Sequence, residues 1–174
     1  LNIRIDEHAL EKEARLYDYK MDAVRAFTRL NDNNRIITSG GPNAKIGIVS
    51  TGKSYLDVRE ALDNLGIDEV RANELGLRIL KIGMPWPLEP QIITKFARDL
   101  DLIIVVEEKR ALIETQIKEI LFNTDLRPTV IGKRDENGST LFQEKAALEA
   151  TQIGIAIGER LIRRDLGGSE IADR

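Results

Sequence analysis

No cysteine occurs among the 174 residues. That absence removes disulfides, thiolate nucleophiles, sulfur-built zinc sites and iron–sulfur ligation from this stretch of protein. Histidine is nearly absent too. His8 stands alone, with no serine or cysteine constellation around it, so a histidine-centred acid–base system is excluded and His8 reads as a surface residue. No metal-ligand spacing of a familiar kind is present. No apolar run approaches the roughly 18 residues that span a bilayer, and nothing reads as a signal peptide. Neither sign of charge dominates: 26 basic and 29 acidic side chains give a net charge of −3. The signs are interspersed, so neither a nucleic-acid nor a membrane partner is expected. A cysteine-free chain of this kind is compatible with the cytoplasm, which is the expected location.

What is present is an alternation of strands and helices. The length suits one ordinary domain with a sizeable core. The organising stretch is Lys45 to Leu65 (KIGIVSTGKSYLDVREALDNL). Ile46, Ile48 and Val49 form an apolar β-branched run, Ser50-Thr51-Gly52 is a turn, and Tyr55, Val58, Ala61, Leu62 and Leu65 follow at helical spacing. Ahead of it, residues 6–30 place Leu10, Ala14, Tyr17, Met21, Val24 and Phe27 at alternating steps of three and four. That pattern predicts one long amphipathic helix with one buried stripe. Arg35 to Ser39 is a short strand. Downstream, Asp68 is placed to cap a short helix through Asn73. Leu75 to Ile82 is a strand, and Pro90 suits the first turn of a helix to Leu100. Leu102 to Val106 is all apolar, as a central strand covered on both faces requires. Ala111 to Phe122 is a helix and Pro128 to Gly132 a strand. Asp135 to Gly138 is a hairpin-type turn, and Thr151 is expected to cap a last helix running to about Arg164. Gly154 and Gly158, four apart, would let that helix approach a neighbour. The alternation argues a mainly parallel sheet with helices on both faces. There is no internal repeat and no low-complexity segment.

The sharpest motif is Gly47 to Ser54, GIVSTGKS, which satisfies the phosphate-loop pattern G-x-x-x-x-G-K-[ST] letter for letter. A nucleotide-hydrolysing protein with that loop would place Lys53 on the phosphates and Ser54 on Mg²⁺. The mechanics oppose it. Such a loop needs its first glycine at the strand's end and an open cradle of N–H groups after it. Here Ile48 and Val49 are β-branched and favour strand geometry, so the strand is expected to run straight through Gly47. A lesser claim survives: Thr51, Gly52, Lys53 and Ser54 form a helix start that can hold one phosphate or carboxylate. Glu107 and Glu108, at the end of an apolar strand, sit where catalytic carboxylates often lie. Capping the helix beginning near Ala111, or pairing with Lys109 and Arg110, is the reading preferred here. Trp86 between two prolines reads as a packed loop anchor or an interface residue.

Four ordered runs carry a resemblance: IGIVSTGKSYLDVREALDNLGID, LGLRILKIGMPWPLEP, LIIVVEEKRALIETQIKEILFN and VIGKRDENG. Together they resemble the transketolase C-terminal-like domain of indolepyruvate ferredoxin oxidoreductases, and the opening LNIRIDEHALEKEARLYDYKMDAVRAFTRLN resembles the segment leading into it. Ser50-Thr51 and Ile82-Gly83-Met84 depart conservatively from the commoner pattern.

The resemblance implies a three-layer α/β/α sandwich whose five-stranded, mainly parallel sheet has one antiparallel edge strand, a place that suits RIITS. It implies a parent enzyme that oxidatively decarboxylates arylpyruvates to acyl-CoA, using thiamine diphosphate, Mg²⁺ and iron–sulfur clusters, with coenzyme A as cosubstrate and ferredoxin as partner. The family's G-D-G…N-N cofactor signature is missing, since no GDG occurs and Asn33-Asn34 stands alone. This stretch therefore reads as a module that holds no cofactor, is inactive alone, supports a homo-oligomer and packs beside the thiamine-binding domains. The expected layout is a helical lead-in over residues 1–34, the domain over 35–164, and a linker over 165–174 to a following domain. Leu1 at the start and the tail DLGGSEIADR together suggest an excised domain.

Overall fold

A computed structural model describes residues 8–167 and Ile171. Five strands form one sheet: β1 (Arg35–Thr38), β2 (Ile46–Thr51), β3 (Leu77–Ile82), β4 (Leu102–Val106) and β5 (Thr129–Ile131). Their order is β1-β3-β2-β4-β5. β1 runs antiparallel to β3, and every other pair is parallel. The expected mainly parallel sheet with an antiparallel edge is what forms, and RIIT is that edge.

The chain order explains the covering layers. A parallel strand is reached only through a crossover, and each crossover lays a helix on one face. Ile46 and Ile48 of β2 face a core shared with Leu77, Ile79, Leu102 and Ile104. Helices α3 (Gly52–Asn64), α4 (Glu69–Glu74) and α7 (Ala150–Arg163) cover that face with Val58, Leu62, Ala72, Ile153 and Ile157. Val49, Leu80, Ile103 and Val105 point the other way, against Ile93 and Phe96 of α5 (Pro90–Ala97) and Ile113 and Ile117 of α6 (Ile113–Phe122). The result is a three-layer sandwich.

Several local expectations hold, each for a physical reason. Asp68 caps α4 by accepting from the Arg71 N–H at 2.8 Å. Pro90 opens α5, whose cap is the buried carboxylate of Glu89. The Asp135–Gly138 turn closes with the Gly138 N–H on the Asp135 carbonyl.

Others differ. Thr151 lies inside the first turn of α7, whose N-cap is Glu149 with no side-chain bond to the helix. The first helix is interrupted: α1 (Ala9–Arg15) and α2 (Met21–Leu30) are joined by a π-helical stretch, Leu16–Lys20. Each π turn takes in an extra residue, so the apolar stripe shifts phase at its middle. Met21 and Thr28 are buried, whereas Leu10, Tyr17 and Phe27 are exposed. The single buried stripe does not form, and residues 1–7 of that reading lie outside the described residues. α2 is fastened instead by Arg29, whose Nη1 donates to Glu89 at 2.9 Å. At the other end, Ile171 is buried in the core beneath α7.

Candidate functional site

β2 feeds a crossover to β3 on one side, while β4 lies on its other side. The strand order therefore reverses between β2 and β4, and a crevice opens beyond their C-terminal ends. Ligands of open α/β sheets bind at that place. The cleft here is about 440 Å³, lined by Thr51, Gly52, Lys53 and Ser54 on one wall and Glu107 to Arg110 with Leu112 and Ile113 on the other. The four residues expected to form an anion site thus do share one cleft.

The strand placement removes the phosphate loop. Ile48 pairs with Ile79 and Ile104, and Val49 with Leu80 and Val105, on both sides of β2. Gly47 has a packing reason of its own. A Cβ there would lie 2.7 Å from Phe96 Cζ and 2.6 Å from Leu100 Cδ1, so the glycine lets α5 press against the strand. The expected turn at Ser50-Thr51-Gly52 does not form as such: Ser50 and Thr51 are still paired in β2, and α3 begins at once at Gly52, which has φ +53° in open space. No triphosphate cradle is left.

The start of α3 is unsatisfied. Its N-cap, Thr51, makes no side-chain bond to the helix and donates its hydroxyl to the Ile82 carbonyl at 2.8 Å. The first-turn N–H groups of an α-helix have no intrahelical acceptor, and Lys53 and Ser54, which carry two of them, line the cleft at the positive end of the helix dipole. The Lys53 ammonium is engaged elsewhere. It donates to Asp57 Oδ2 at 2.7 Å and the Leu148 carbonyl at 3.2 Å, and stands 3.5 Å from Glu108. These acceptors, Asp57 foremost, raise its pKa above the ordinary value.

Across the cleft the opposite holds. Glu107 is 4% exposed, and its carboxylate accepts from the N–H groups of Leu112, Ile113 and Glu114 at 3.1, 2.8 and 3.0 Å. It caps α6 from the end of β4, which is the structural duty expected of it. Glu108 pairs with Lys53 and accepts from the Leu148 N–H at 3.4 Å; Lys109 and Arg110, the expected partners, take no part. The strand ends and the next helix begins only a few residues later, so the two carboxylates are drawn to different elements. Behind them Lys133, buried, donates to the Glu107 carbonyl, and burial pushes its pKa down. The Lys133 N–H in turn donates to the buried Glu114 carboxylate at 2.8 Å.

Sequence reasoning found the helix start and placed Glu107 and Glu108 at a strand end, but did not bring the two walls together. The Lys53–Asp57 pair was missed, although its i,i+4 spacing could have shown it. Glu108 and Arg110 reach the same cleft, and Leu148 reaches Lys53, only through the sheet order, which no local spacing reveals. Trp86 is 52% exposed and is not a packed anchor. Asn34 is buried and its amide oxygen accepts from the N–H groups of Gly83 and Met84 at 2.9 and 3.0 Å, while its amide nitrogen has no partner among the described residues. Among the described residues no group of acidic or histidine side chains is clustered for a metal ion, and no helix is long and apolar enough to cross a membrane.

The indolepyruvate oxidoreductase domain profile matches residues 36–174. Indolepyruvate oxidoreductase subunit IorA of Pyrococcus abyssi is 30% identical over 118 residues, 67% of this chain and 17% of that protein. The IorA subunit of Pyrococcus horikoshii is 37% identical over 94 residues, 54% of this chain and 13% of that protein. Among solved structures, a 2-oxoglutarate:ferredoxin oxidoreductase from Magnetococcus marinus, with 2-oxoglutarate, coenzyme A and succinyl-CoA bound, superposes with a TM-score of 0.58 at 18% identity, covering 91% of this chain and 24% of that one. The last likeness is one of fold. The chain spans less than a quarter of the length of each of these proteins.

Proposed function

The chain belongs to the indolepyruvate oxidoreductase domain family, and from that premise we propose that it is a supporting module of a thiamine-diphosphate-dependent 2-oxoacid:ferredoxin oxidoreductase acting on arylpyruvates. The observation that carries this reading is the family match over 36–174 on a three-layer sheet whose cleft carboxylates serve structure. Glu107 caps a helix, and Glu108 holds Lys53. Neither is left for acid–base work.

In this reading residues 1–34 lead into the module, 35–164 form it, and 165–174 link it to a further domain. Thiamine diphosphate, Mg²⁺ and the iron–sulfur clusters belong to other domains of a cytoplasmic homo-oligomer that hands its electrons to ferredoxin. Thr51, Gly52, Lys53 and Ser54 hold an anionic group, and the cleft contributes to the surface met by coenzyme A or by a neighbouring thiamine-binding domain. The test is an assay of the natural protein that contains this stretch. Reduction of ferredoxin or a viologen that requires both indolepyruvate and coenzyme A supports the reading, with the 174-residue chain inactive by itself. A natural protein that reduces neither acceptor with any aromatic 2-oxoacid contradicts it.

A further inference from the structure

A second cavity, of about 180 Å³, lies between the end of α2 and the start of α5 and shares no lining residue with the cleft beyond β2 and β4. Asn34 lines it and is 6% exposed. Its amide oxygen is held by the N–H groups of Gly83 and Met84, which settles which end of the amide is which. Neither of those residues lines the cavity, so the nitrogen is the polar end of Asn34 left to it. That nitrogen is buried and has no partner among the described residues. A buried donor without a partner has lost its hydration and gained nothing in return. It marks a place that an acceptor from outside the chain completes.

The charged side chains around the cavity divide into a matched pair and an unmatched one. Arg29 donates to Glu89 at 2.9 Å, and Glu89 also caps α5 by accepting from the Gln91 and Ile92 N–H groups. That pair is neutral and engaged. Asp32 and Lys95 line the same cavity, and neither side chain makes an ion pair or hydrogen bond among the described residues. One negative and one positive group are therefore left over. Asp32 stands just past the carbonyl end of α2, where the helix dipole favours a cation. Lys95 stands on α5. A carboxylate alone would satisfy Asn34 and Lys95 but leave Asp32 facing an anion. An amine alone would satisfy Asp32 and leave Asn34 without an acceptor. A molecule carrying both groups completes the set. Its size is bounded by the volume: about 180 Å³ lies below the ~300–1,000 Å³ of sites for drug-sized ligands. It corresponds to about six waters at ~30 Å³ each, the bulk of a free amino acid with a short side chain, for which Ile92 supplies an apolar wall.

We propose that this cavity binds a small free α-amino acid as its zwitterion. The carboxylate takes the Asn34 amide N–H and the Lys95 ammonium, and the ammonium of the ligand donates to Asp32. Arg29 and Glu89 stay with each other and hold α2 against α5. The site goes beyond the function proposed above and does not rest on the anion reading at the start of α3.

The test follows the side-chain amide resonances of Asn34 in the full chain while alanine, propionate and ethylamine are titrated at equal ionic strength and neutral pH. Propionate and ethylamine are the two halves of alanine, each carrying one of its charges. A saturable shift with alanine, at least about tenfold tighter than with either half, is expected. Lys95→Met and Asp32→Asn should each weaken alanine binding by about tenfold, the loss of one hydrogen bond to a charged group. Both positions are exposed, and asparagine adopts the left-handed backbone found at Asp32, so folding is not at stake in either variant. Propionate or ethylamine binding as tightly as alanine overturns the zwitterion assignment. No response to alanine overturns the site. Alanine binding that is unchanged in both variants overturns the assignment of its two charged partners.

Discussion

Gly47 shows how a single residue can satisfy a motif while serving something else. In the pattern G-x-x-x-x-G-K-[ST] it stands where the chain should leave its strand, yet here it sits within β2, between Arg78 and Ile103 on the neighbouring strands. What demands glycine is Phe96, whose ring occupies the space of a side chain. Gly47→Ala is therefore expected to destabilise the fold by about 1–3 kcal/mol through overpacking, read as a lower midpoint in urea unfolding with an unchanged slope. Glu107 carries a second residue-scale prediction. Removing its carboxylate leaves three N–H groups at the start of α6 without an acceptor, two of them within fully buried surroundings. Glu107→Ala should cost about 2–3 kcal/mol in the same measurement. A change below about 0.5 kcal/mol, the level of an ordinary surface substitution, would contradict the capping role.

At the scale of elements, α7 is bound to the rest of the chain by a buried arginine. Arg160 is 2% exposed and reaches the hairpin turn, its Nε donating to Glu136 Oε1 at 3.2 Å and its Nη2 to Oε2 at 2.8 Å. The guanidinium holds the Glu136 carboxyl below its ordinary value of 4.5. A carboxyl whose folded-state pKa is lowered adds stability that is complete above its unfolded value and is lost as the pH falls through the folded one. The stability advantage of the wild type over Glu136→Gln should thus be full at neutral pH and shrink only below about pH 4.5, in thermal melts across the acid range. An advantage that instead persisted unchanged well into acid would show that the pair does not titrate in this way.

The elements themselves were legible because they arise from local pattern: the all-apolar run of β4, the Asp68 cap, the alternating order that forces parallel pairing. The first helix was misread because a π-helical insertion shifts the phase of an apolar stripe, and periodicity assumes a constant turn. Gly154 and Gly158 were read as points of close approach, and α7 does pack on α3 there. A Cβ would nonetheless sit 3.8 Å from Ala61 at the first and 3.7 Å from Leu65 at the second, ordinary contact that glycine is not needed to permit. The meeting of the two cleft walls was invisible for a different reason. Glu108 and Leu148 meet Lys53, and Arg110 comes to the same cleft, only after five strands have taken their order, and that order is a property of the sheet.

Across the whole molecule, one edge of the sheet gathers two helix starts. The chain has filled one with its own Glu107 and left the other open beside Ser54. That asymmetry is why we propose a single anion at the open start, and the pairing of β2 through Ile48 and Val49 leaves no room for a triphosphate cradle. The relatives it matches are several times the matched length, and we propose that Trp86 and the exposed apolar side chains of α1 and α2 meet neighbouring domains. The central claim is that Gly47 to Ser54 is a sheet strand and helix start in an oxidoreductase module and not a triphosphate loop. Calorimetric titration of the chain with Mg-ATP tests it most directly. The account predicts no binding tighter than the millimolar range. Saturable binding at micromolar affinity, about −8 kcal/mol, that disappears in Lys53→Ala would contradict it.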